Sequence, residues 1–140
     1  MTVYLEDLKV GMCAGLTHTV TEADIEAFGQ ATGDRNPVHF DEAFARKTVF
    51  RGRVAHGALL IGYVSAVIGN DLPGPGTIFS GATIAFKAPV RLGDTVTVSC
   101  TISAIEGRAI TLDCLGKVGE TVVAEMTAHA IAPKKPKTDA

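Results

Sequence analysis

The chain has 140 residues, of which 46 % are hydrophobic and 20 % are charged, and its formal net charge at pH 7 is −2. This composition predicts one globular domain with a hydrophobic core and excludes a disordered chain. The weak negative charge and the 6 % aromatic content, with no Trp, argue against a nucleic-acid-binding surface.

Segments that would direct the chain into or across a membrane are not found in the sequence. No stretch reaches the ~18 apolar residues that a membrane-spanning helix needs. The first residues, MTVYLEDLKVG, include two carboxylates and lack the basic and apolar regions of a signal peptide. Cys13, Cys100 and Cys114 are an odd number without Cys-x-x-Cys spacing, which is typical of reduced thiols. We therefore expect a cytoplasmic protein.

The first third of the chain predicts a strand followed by a short helix. Residues 12–20 alternate loosely, which favours a strand. The next segment, TEADIEAFGQATG, has Thr21 as the expected N-cap, with Glu22 and Asp24 near the positive end of the helix dipole. Gly33 fits a left-handed end to this helix. The loop from Asp34 to His39 follows immediately.

Two further helical segments are predicted before the middle of the chain. Residues 41–48 resemble one or two turns with Asp41 as the cap. Residues 57–69 are apolar on almost every side, and 13 residues with several glycines are ill suited to a strand. A helix without a polar face must be surrounded by protein. Gly69 and the segment NDLPGPG end it.

The second half alternates with a period of two residues, which predicts four long antiparallel strands with one buried face each. The predicted inward positions are Ile78, Ala82, Ile84, Phe86, Val96, Val98, Cys100, Ile102, Ala104, Ile110, Leu112, Cys114, Val122, Ala124, Met126 and Ala128. Turns at Glu106-Gly107 and Val118-Gly119 separate the last three strands.

These elements predict an α+β hot-dog fold, in which an antiparallel sheet of about five strands wraps around a central buried helix. That arrangement leaves one side of the helix open, which usually requires a second subunit. We expect a single domain over residues 1–133 and a solvated C-terminal tail over residues 134–140.

Asp34 and His39 are the first candidates for chemistry. The intervening Asn36-Pro37 disfavours a helical conformation at Asn36 and fixes φ at Pro37, so the chain can double back and bring the two side chains toward one point. A carboxylate and an imidazole can then share a water molecule as an acid–base pair. The same residues are also ordinary turn and capping chemistry, so a structural role stays open.

Gly57 and Ser65 are candidates on the predicted buried helix. The Gly57 N–H lies at a helix start and could stabilise a developing oxyanion, or the glycine could simply permit close packing. His56, beside it, could cap the helix or pack. Ser65 could bond the carbonyl of Ile61 or support the Asp34–His39 pair.

Other titratable groups give weaker signals. His18 and His129 fall on predicted strands without an obvious partner, which favours surface or interface positions. No spacing typical of metal ligands occurs, so no metal is predicted. A small basic cluster could meet substrate phosphates or lie in a solvated loop. It consists of Arg46, Lys47, Arg51 and Arg53.

Three segments together resemble the MaoC-like hydratases, and most of all the short (R)-specific enoyl-CoA hydratases. They are ATGDRNPVHFD, VAHGALLIGYVSAVIG and LPGPGTIFSGATIAFKAPVRLGD, in the order and spacing of that family, within about residues 5–132. The resemblance implies a hot-dog homodimer that adds water reversibly and syn to a trans-2-enoyl-CoA. No cofactor is implied beyond the coenzyme A of the substrate.

The resemblance also assigns site residues. The catalytic pair of the family falls on Asp34 and His39, its oxyanion-hole amide on Gly57, and a supporting serine on Ser65. On the buried helix, we expect the acyl chain to be lined by Leu59, Leu60, Tyr63 and Val64. Two alternatives stay open on the same fold: an acyl-CoA thioesterase and a non-catalytic acyl-CoA-binding protein.

Overall fold

A computed structural model describes residues 1–137 and contains one antiparallel five-stranded sheet with the strand order β1-β3-β4-β5-β2. The strands are β1 (Cys13–Thr19), β2 (Ile78–Phe86), β3 (Thr95–Glu106), β4 (Ala109–Val118) and β5 (Thr121–Ile131). The helices are α1 (Glu22–Thr32), α2 (Pro37–Phe40), α3 (Glu42–Ala45) and α4 (Ala58–Asn70), after an N-terminal 3-10 turn at Leu5–Asp7. The predicted architecture is confirmed.

Helix α1 begins and ends as its sequence predicts. The Thr21 hydroxyl accepts from the backbone N–H of Asp24, and the Asp24 carboxylate accepts from the N–H of Thr21, which completes a capping box. Gly33 ends the helix with φ 79°, a left-handed conformation that glycine adopts at little cost. These local signals fix where the following Asp34 stands.

Helix α4 packs one face against the inner side of the sheet. Its buried residues Leu60, Val64, Val67 and Ile68 face sheet residues such as Leu112. Full burial of each large aliphatic side chain contributes roughly 1.5–3 kcal/mol. The opposite face of α4 is different. The small residues Ala58, Gly62 and Ser65 are exposed there, so a single chain does not surround this helix as its composition predicts.

Bulges change the inward face of the strands at particular positions. The β3–β4 register shifts between Ile102 and Ala104, so Ser103 has no directly opposed partner. Ala104 is therefore exposed, and Ile105 is half-buried in its place. Strand β2 lies at one edge of the sheet, where the predicted inward residues Ile78 and Phe86 are 59 % and 52 % exposed. The inward assignments of Ala104 and Ile78 were wrong, whereas Phe86, although partly exposed, faces Gly57 at the start of α4.

The C-terminal segment up to residue 137 is exposed but not free of contacts. The backbone N–H of Lys135 donates to the carboxylate of Glu6, and its ammonium lies 3.1 Å from a carboxylate oxygen of Asp7. The rest of the predicted tail, residues 138–140, lies outside the described residues. Among the helices of residues 1–137, none has the length and apolarity to cross a bilayer.

Candidate active site

Asp34 and His39 lie on either side of a tight turn that leads into α2. Asn36 is the N-cap of this one-turn helix, and its side-chain oxygen accepts from the backbone N–H of Val38 at 3.2 Å. Pro37 occupies the first helical position, where its missing N–H costs nothing. His39 therefore lies on a helical turn and not in an open loop, and the turn directs it back toward Asp34.

The ring of His39 is fixed by residues that precede α4. Its Nδ1 lies 2.8 Å from the carbonyl oxygen of Val54. A carbonyl only accepts, so Nδ1 carries the hydrogen, and in the neutral ring the Nε2 lone pair is left available as a base. Arg53 adds a second restraint, since its Nε donates to the carbonyl of His39 at 2.7 Å. The same guanidinium is held by Glu22 through two bonds of 2.8 and 2.9 Å.

The side chains of Asp34 and His39 converge, and a third group joins them. A carboxylate oxygen of Asp34, a ring nitrogen of His39 and a ring nitrogen of His56 all lie within 4.8 Å of one another. One water at about 2.8 Å from each of two such atoms can bridge separations of up to about 5.6 Å. The carboxylate is also oriented, because its Oδ1 accepts from the N–H of Asn36 at 3.2 Å. Asp34 is exposed, so solvent reaches this point.

His56, whose role the sequence left open, lies against His39 in the structure. It is only 2 % exposed, and its ring stacks on that of His39 with centroids 3.9 Å apart and planes at 30°. Burial is the main cause that lowers the pKa of His56, so the neutral ring is favoured. The only sequence signal was its position directly before Gly57.

The same three residues also meet the spacing of a candidate metal site, and one nitrogen of each histidine is already bonded to a backbone carbonyl. An imidazole lone pair lies in the plane of its ring, and a metal must lie about 2.0–2.1 Å from the nitrogen. The rings of His39 and His56 have centroids 3.9 Å apart and planes tilted by 30°. Nδ1 of His39 is already bonded to Val54.

Gly57 and His39 line the same cavity, which has a volume of about 550 Å³. The Gly57 N–H, directly before α4, donates to no acceptor within residues 1–137. Its φ of −57° and ψ of −34° suit any residue, so the backbone does not require glycine. A Cβ there would instead lie 3.0 Å from ring carbons of Phe86, which lines the same cavity. The amide is thus an unpaired donor on a residue that lines the cavity.

The walls of this cavity are mostly apolar and differ in part from the prediction. Of the four predicted lining residues, only Leu60 lines it. Val64 lies beside Leu60 at a much smaller internal void. The described lining includes neither Leu59 nor Tyr63, because a helix turns successive side chains to different sides. The complete lining is Asn36, Val38, His39, Phe50, Val54, Ala55, Gly57, Ala58, Leu60, Ile61, Phe86, Lys87, Ala88, Pro89 and Val90.

Tyr63 lies instead beside His18, with ring centroids 5.3 Å apart. His18 has a partner that the sequence analysis missed, since its Nε2 lies 2.8 Å from a carboxylate oxygen of Asp24. Burial and the nearby charge of Asp24 raise the pKa of Tyr63 to about 12. These three residues form a cluster apart from the cavity, and His129 is exposed on β5.

Within residues 1–137, Ser65 forms no hydrogen bond with Asp34 or His39. It is exposed, forms no hydrogen bond to Ile61 or to any other described residue, and does not line the cavity. Eight residues of helix separate it from Gly57, an axial rise of about 12 Å. It does share a helix face with Ala58 and Ile61, which line the cavity.

The predicted basic cluster is divided in the structure. Arg53 is bound to Glu22 and His39, and Arg46 pairs with Glu42 at 3.4 Å. Two of the four cations are therefore committed to pairs within the chain.

Known proteins resemble this chain over almost its whole length, and they indicate one family. A family model described as a MaoC-like domain matches residues 11–131. The chain is 42 % identical over 139 residues to a 3-hydroxybutyryl-CoA dehydratase of Methylorubrum extorquens, covering 98 % of this chain and 88 % of that protein. It is also 42 % identical over 134 residues to an (R)-specific enoyl-CoA hydratase of Rhodospirillum rubrum, covering 94 % and 93 %.

Solved structures give the same picture of the fold. The (R)-hydratase of Aeromonas caviae superposes with a TM-score of 0.87 at 34 % identity, covering 91 % of this chain and 99 % of that chain. An (R)-hydratase of Pseudomonas aeruginosa superposes with a TM-score of 0.86 at 33 % identity, covering 99 % and 93 %.

Proposed function

Because this chain belongs to the MaoC-like domain family, we propose that it is an (R)-specific enoyl-CoA hydratase. The reaction is the reversible syn addition of water to a trans-2-enoyl-CoA, which gives an (R)-3-hydroxyacyl-CoA. One observation carries this proposal above the others. The carboxylate of Asp34 and the imidazole of His39 converge beside an apolar cavity that Gly57, whose N–H is unpaired within residues 1–137, also lines.

In the first half of the proposed reaction, Asp34 and His39 hold one water against C3 of the enoyl group. Nε2 of His39 is the base, because Nδ1 is committed to the Val54 carbonyl. As Nε2 takes a proton from the water, the oxygen bonds to C3 and the C2–C3 π electrons move toward the thioester. The negative charge then lies on the thioester oxygen, where the Gly57 N–H stabilises it.

In the second half, the enolate collapses and C2 takes a proton from the same acid–base pair. Because the water and the proton come from one side of the substrate, the addition is syn. The apolar walls of the cavity suit an acyl chain, and among its described lining only Lys87 carries a full charge. The coenzyme A of the substrate is then the only coenzyme involved, and we propose that the enzyme works in the cytoplasm.

The proposal is tested by following the loss of enoyl absorbance with crotonyl-CoA, together with chiral analysis of the product. Asp34→Asn and His39→Gln keep the size of each side chain but remove its acid–base function, so each should lower kcat by about 10²–10⁴-fold. Asp113→Asn, on an exposed part of β4, is the matched control and should keep full activity. An (S) product, or an Asp34→Asn enzyme of undiminished rate, would contradict the assignment.

The same assay separates the two alternative functions. A thioesterase would attack the thioester carbonyl and release free coenzyme A thiol, which a thiol reagent detects. A non-catalytic binding protein would retain enoyl-CoA ligands without consuming them at any chain length. The convergence of Asp34 and His39 on one point favours the hydratase, since pure binding requires no proton transfer.

We also propose that the protein is a homodimer. Within residues 1–137, strand β2 pairs only with β5, so its outer edge presents unpaired backbone groups, and exposed Ile78 and Phe86 lie on the same strand. Two copies related by a two-fold axis could join these edges and cover the exposed face of α4. Light scattering should then give twice the 14.6 kDa mass of the chain. A monomer at micromolar concentration would contradict this proposal.

A further inference from the structure

His56 lies in a box of aromatic rings between α1, α2 and the start of α4. Its ring centroid is 3.9 Å from that of His39, 4.4 Å from that of Phe28 and 5.6 Å from that of Phe40. At 2 % exposure the imidazole is shielded from solvent. It does not line the substrate cavity, so it has no direct contact with a bound acyl chain.

Among residues 1–137, the one hydrogen bond of this ring goes to the backbone of Asp34. Nε2 of His56 lies 3.2 Å from the Asp34 carbonyl oxygen, which can only accept, so Nε2 carries the hydrogen. No other donor within residues 1–137 bonds that carbonyl. Nδ1 of His56 is buried and has no partner among the described protein groups. A proton on Nδ1 would therefore be buried without an acceptor, against the face of His39.

One neutral ring thus contacts both members of the catalytic pair. Its Nε2 forms a hydrogen bond with the Asp34 carbonyl, and the face of its ring packs against the imidazole of His39. We propose that His56 is a positioning residue that sets the separation between the Asp34 carboxylate and the His39 imidazole. This inference rests on the proposed hydratase function.

The need for such a residue follows from the exposure of Asp34. Its own side chain and N–H are bonded only within the turn, to the Asn36 N–H and to the Thr32 hydroxyl. These contacts shape the turn but do not connect Asp34 to the segment around Val54, which binds the ring of His39. The bond from His56 ties Asp34 itself to this segment, which already holds the later part of the turn through Val38 and His39. A displacement of about 1 Å in a reacting group can cost about 10²-fold in rate.

Two substitutions separate the two contacts of His56. His56→Phe keeps an aromatic ring in the box but has no donor for the Asp34 carbonyl. His56→Gln places an amide N–H near the position of Nε2 and loses the stack. We expect kcat for crotonyl-CoA to fall about 10²-fold in His56→Phe, with KM within about threefold of wild type. His56→Gln should recover at least tenfold of that loss.

His129→Phe is the matched control, because this histidine is exposed on β5, and it should leave kcat unchanged. Thermal melts verify that each variant folds. A His56→Phe enzyme with kcat within threefold of wild type would overturn the inference, as would a folded His56→Gln enzyme no faster than His56→Phe. If the wild-type protein does not hydrate enoyl-CoA, the proposed function itself is refuted, and this inference is refuted with it.

A measurement on the unmodified protein tests the inference even if the variants do not fold. Long-range ¹H–¹⁵N spectra of the imidazole nitrogens report which nitrogen of each histidine carries the hydrogen. For His56 we expect a hydrogen on Nε2 and a bare Nδ1 at pH 7.5, as the bond to Asp34 requires. A hydrogen on Nδ1 alone would remove the link to Asp34 and refute the inference, whatever the activity.

Discussion

Gly57→Ala places one methyl group beside the amide that we propose to stabilise the enolate. The backbone of Gly57 is already helical, with φ −57° and ψ −34°, so alanine fits without strain. Its Cβ would lie 3.0 Å from two ring carbons of Phe86, whereas carbon atoms pack best at about 3.5–4.0 Å. The ring must therefore move by about 0.5 Å, and its 52 % exposure allows that movement.

The effect on stability should be small. A glycine-to-alanine change in a compatible conformation stabilises by about 0.4–1 kcal/mol through the unfolded chain, and displacement of the Phe86 ring opposes that gain. We expect the free energy of unfolding to stay within about 1 kcal/mol of wild type. Urea titration measures it.

The effect on rate should be large, because the methyl group and the displaced ring both occupy cavity space next to the Gly57 N–H. The thioester oxygen is then held away from the donor. Loss of one oxyanion donor costs about 2.7–4 kcal/mol, or about 10²–10³-fold in kcat. Stopped-flow or steady-state hydration of crotonyl-CoA measures this loss.

Gly69→Ala is the matched control. Gly69 lies on the same helix, an alanine there meets no atom within 4 Å, and it is about 18 Å along the axis from Gly57. The control should retain full activity and an unchanged oligomeric state. If Gly57→Ala keeps more than about a third of wild-type kcat while remaining folded, the amide of Gly57 does not contact the reacting carbonyl.

Three further predictions concern stability. Leu112→Ala removes a fully buried side chain under α4 and should lower the free energy of unfolding by about 2–5 kcal/mol in urea titration, whereas a loss below 1 kcal/mol would contradict its place in the core. Thr21→Ala breaks the capping box with Asp24 and should cost about 1 kcal/mol in thermal melts; an unchanged melting temperature would show that the cap contributes nothing. Because burial lowers the pKa of His56, the unfolded chain binds its proton at higher pH than the folded chain does. The stability from this residue is complete above about pH 6.5 and falls as the pH drops through the folded-state pKa. The difference in stability between pH 7.5 and pH 5.5 should therefore be smaller in His56→Phe, and an equal difference would refute the reasoning.

Local patterns in the sequence were sufficient for most of the secondary structure, but not for α2, where a loop was predicted. Thr21 and Gly33 bound α1 at the predicted positions, and the two-residue alternation gave the four long strands. These signals act over a few residues, through caps, glycine conformations and side-chain periodicity, so they can be read without a tertiary structure. The alternation fails at the Ser103 bulge. A bulge is set by the pairing register between β3 and β4, which the sequence of β3 alone does not specify.

The candidate site was predicted only in part. Asp34 and His39 are five residues apart, and the Asn36-Pro37 turn between them already indicated that they could converge. Whether Tyr63 or Ile61 faces the cavity was decided by the rotation of α4 against the sheet, which the nearly uniform apolarity of that helix does not specify.

The sequence by itself thus determined the elements, the turn that holds the acid–base pair and the glycine at the helix start. The tertiary structure alone decided that His56 bonds the Asp34 carbonyl, that Phe86 covers Gly57, and that one face of α4 stays open. The physical reason is the separation along the chain between the residues that interact. Caps, turns and periodicity are fixed by neighbours in the chain, whereas stacking, carbonyl bonding and cavity walls join residues that only the packed sheet and helices bring together.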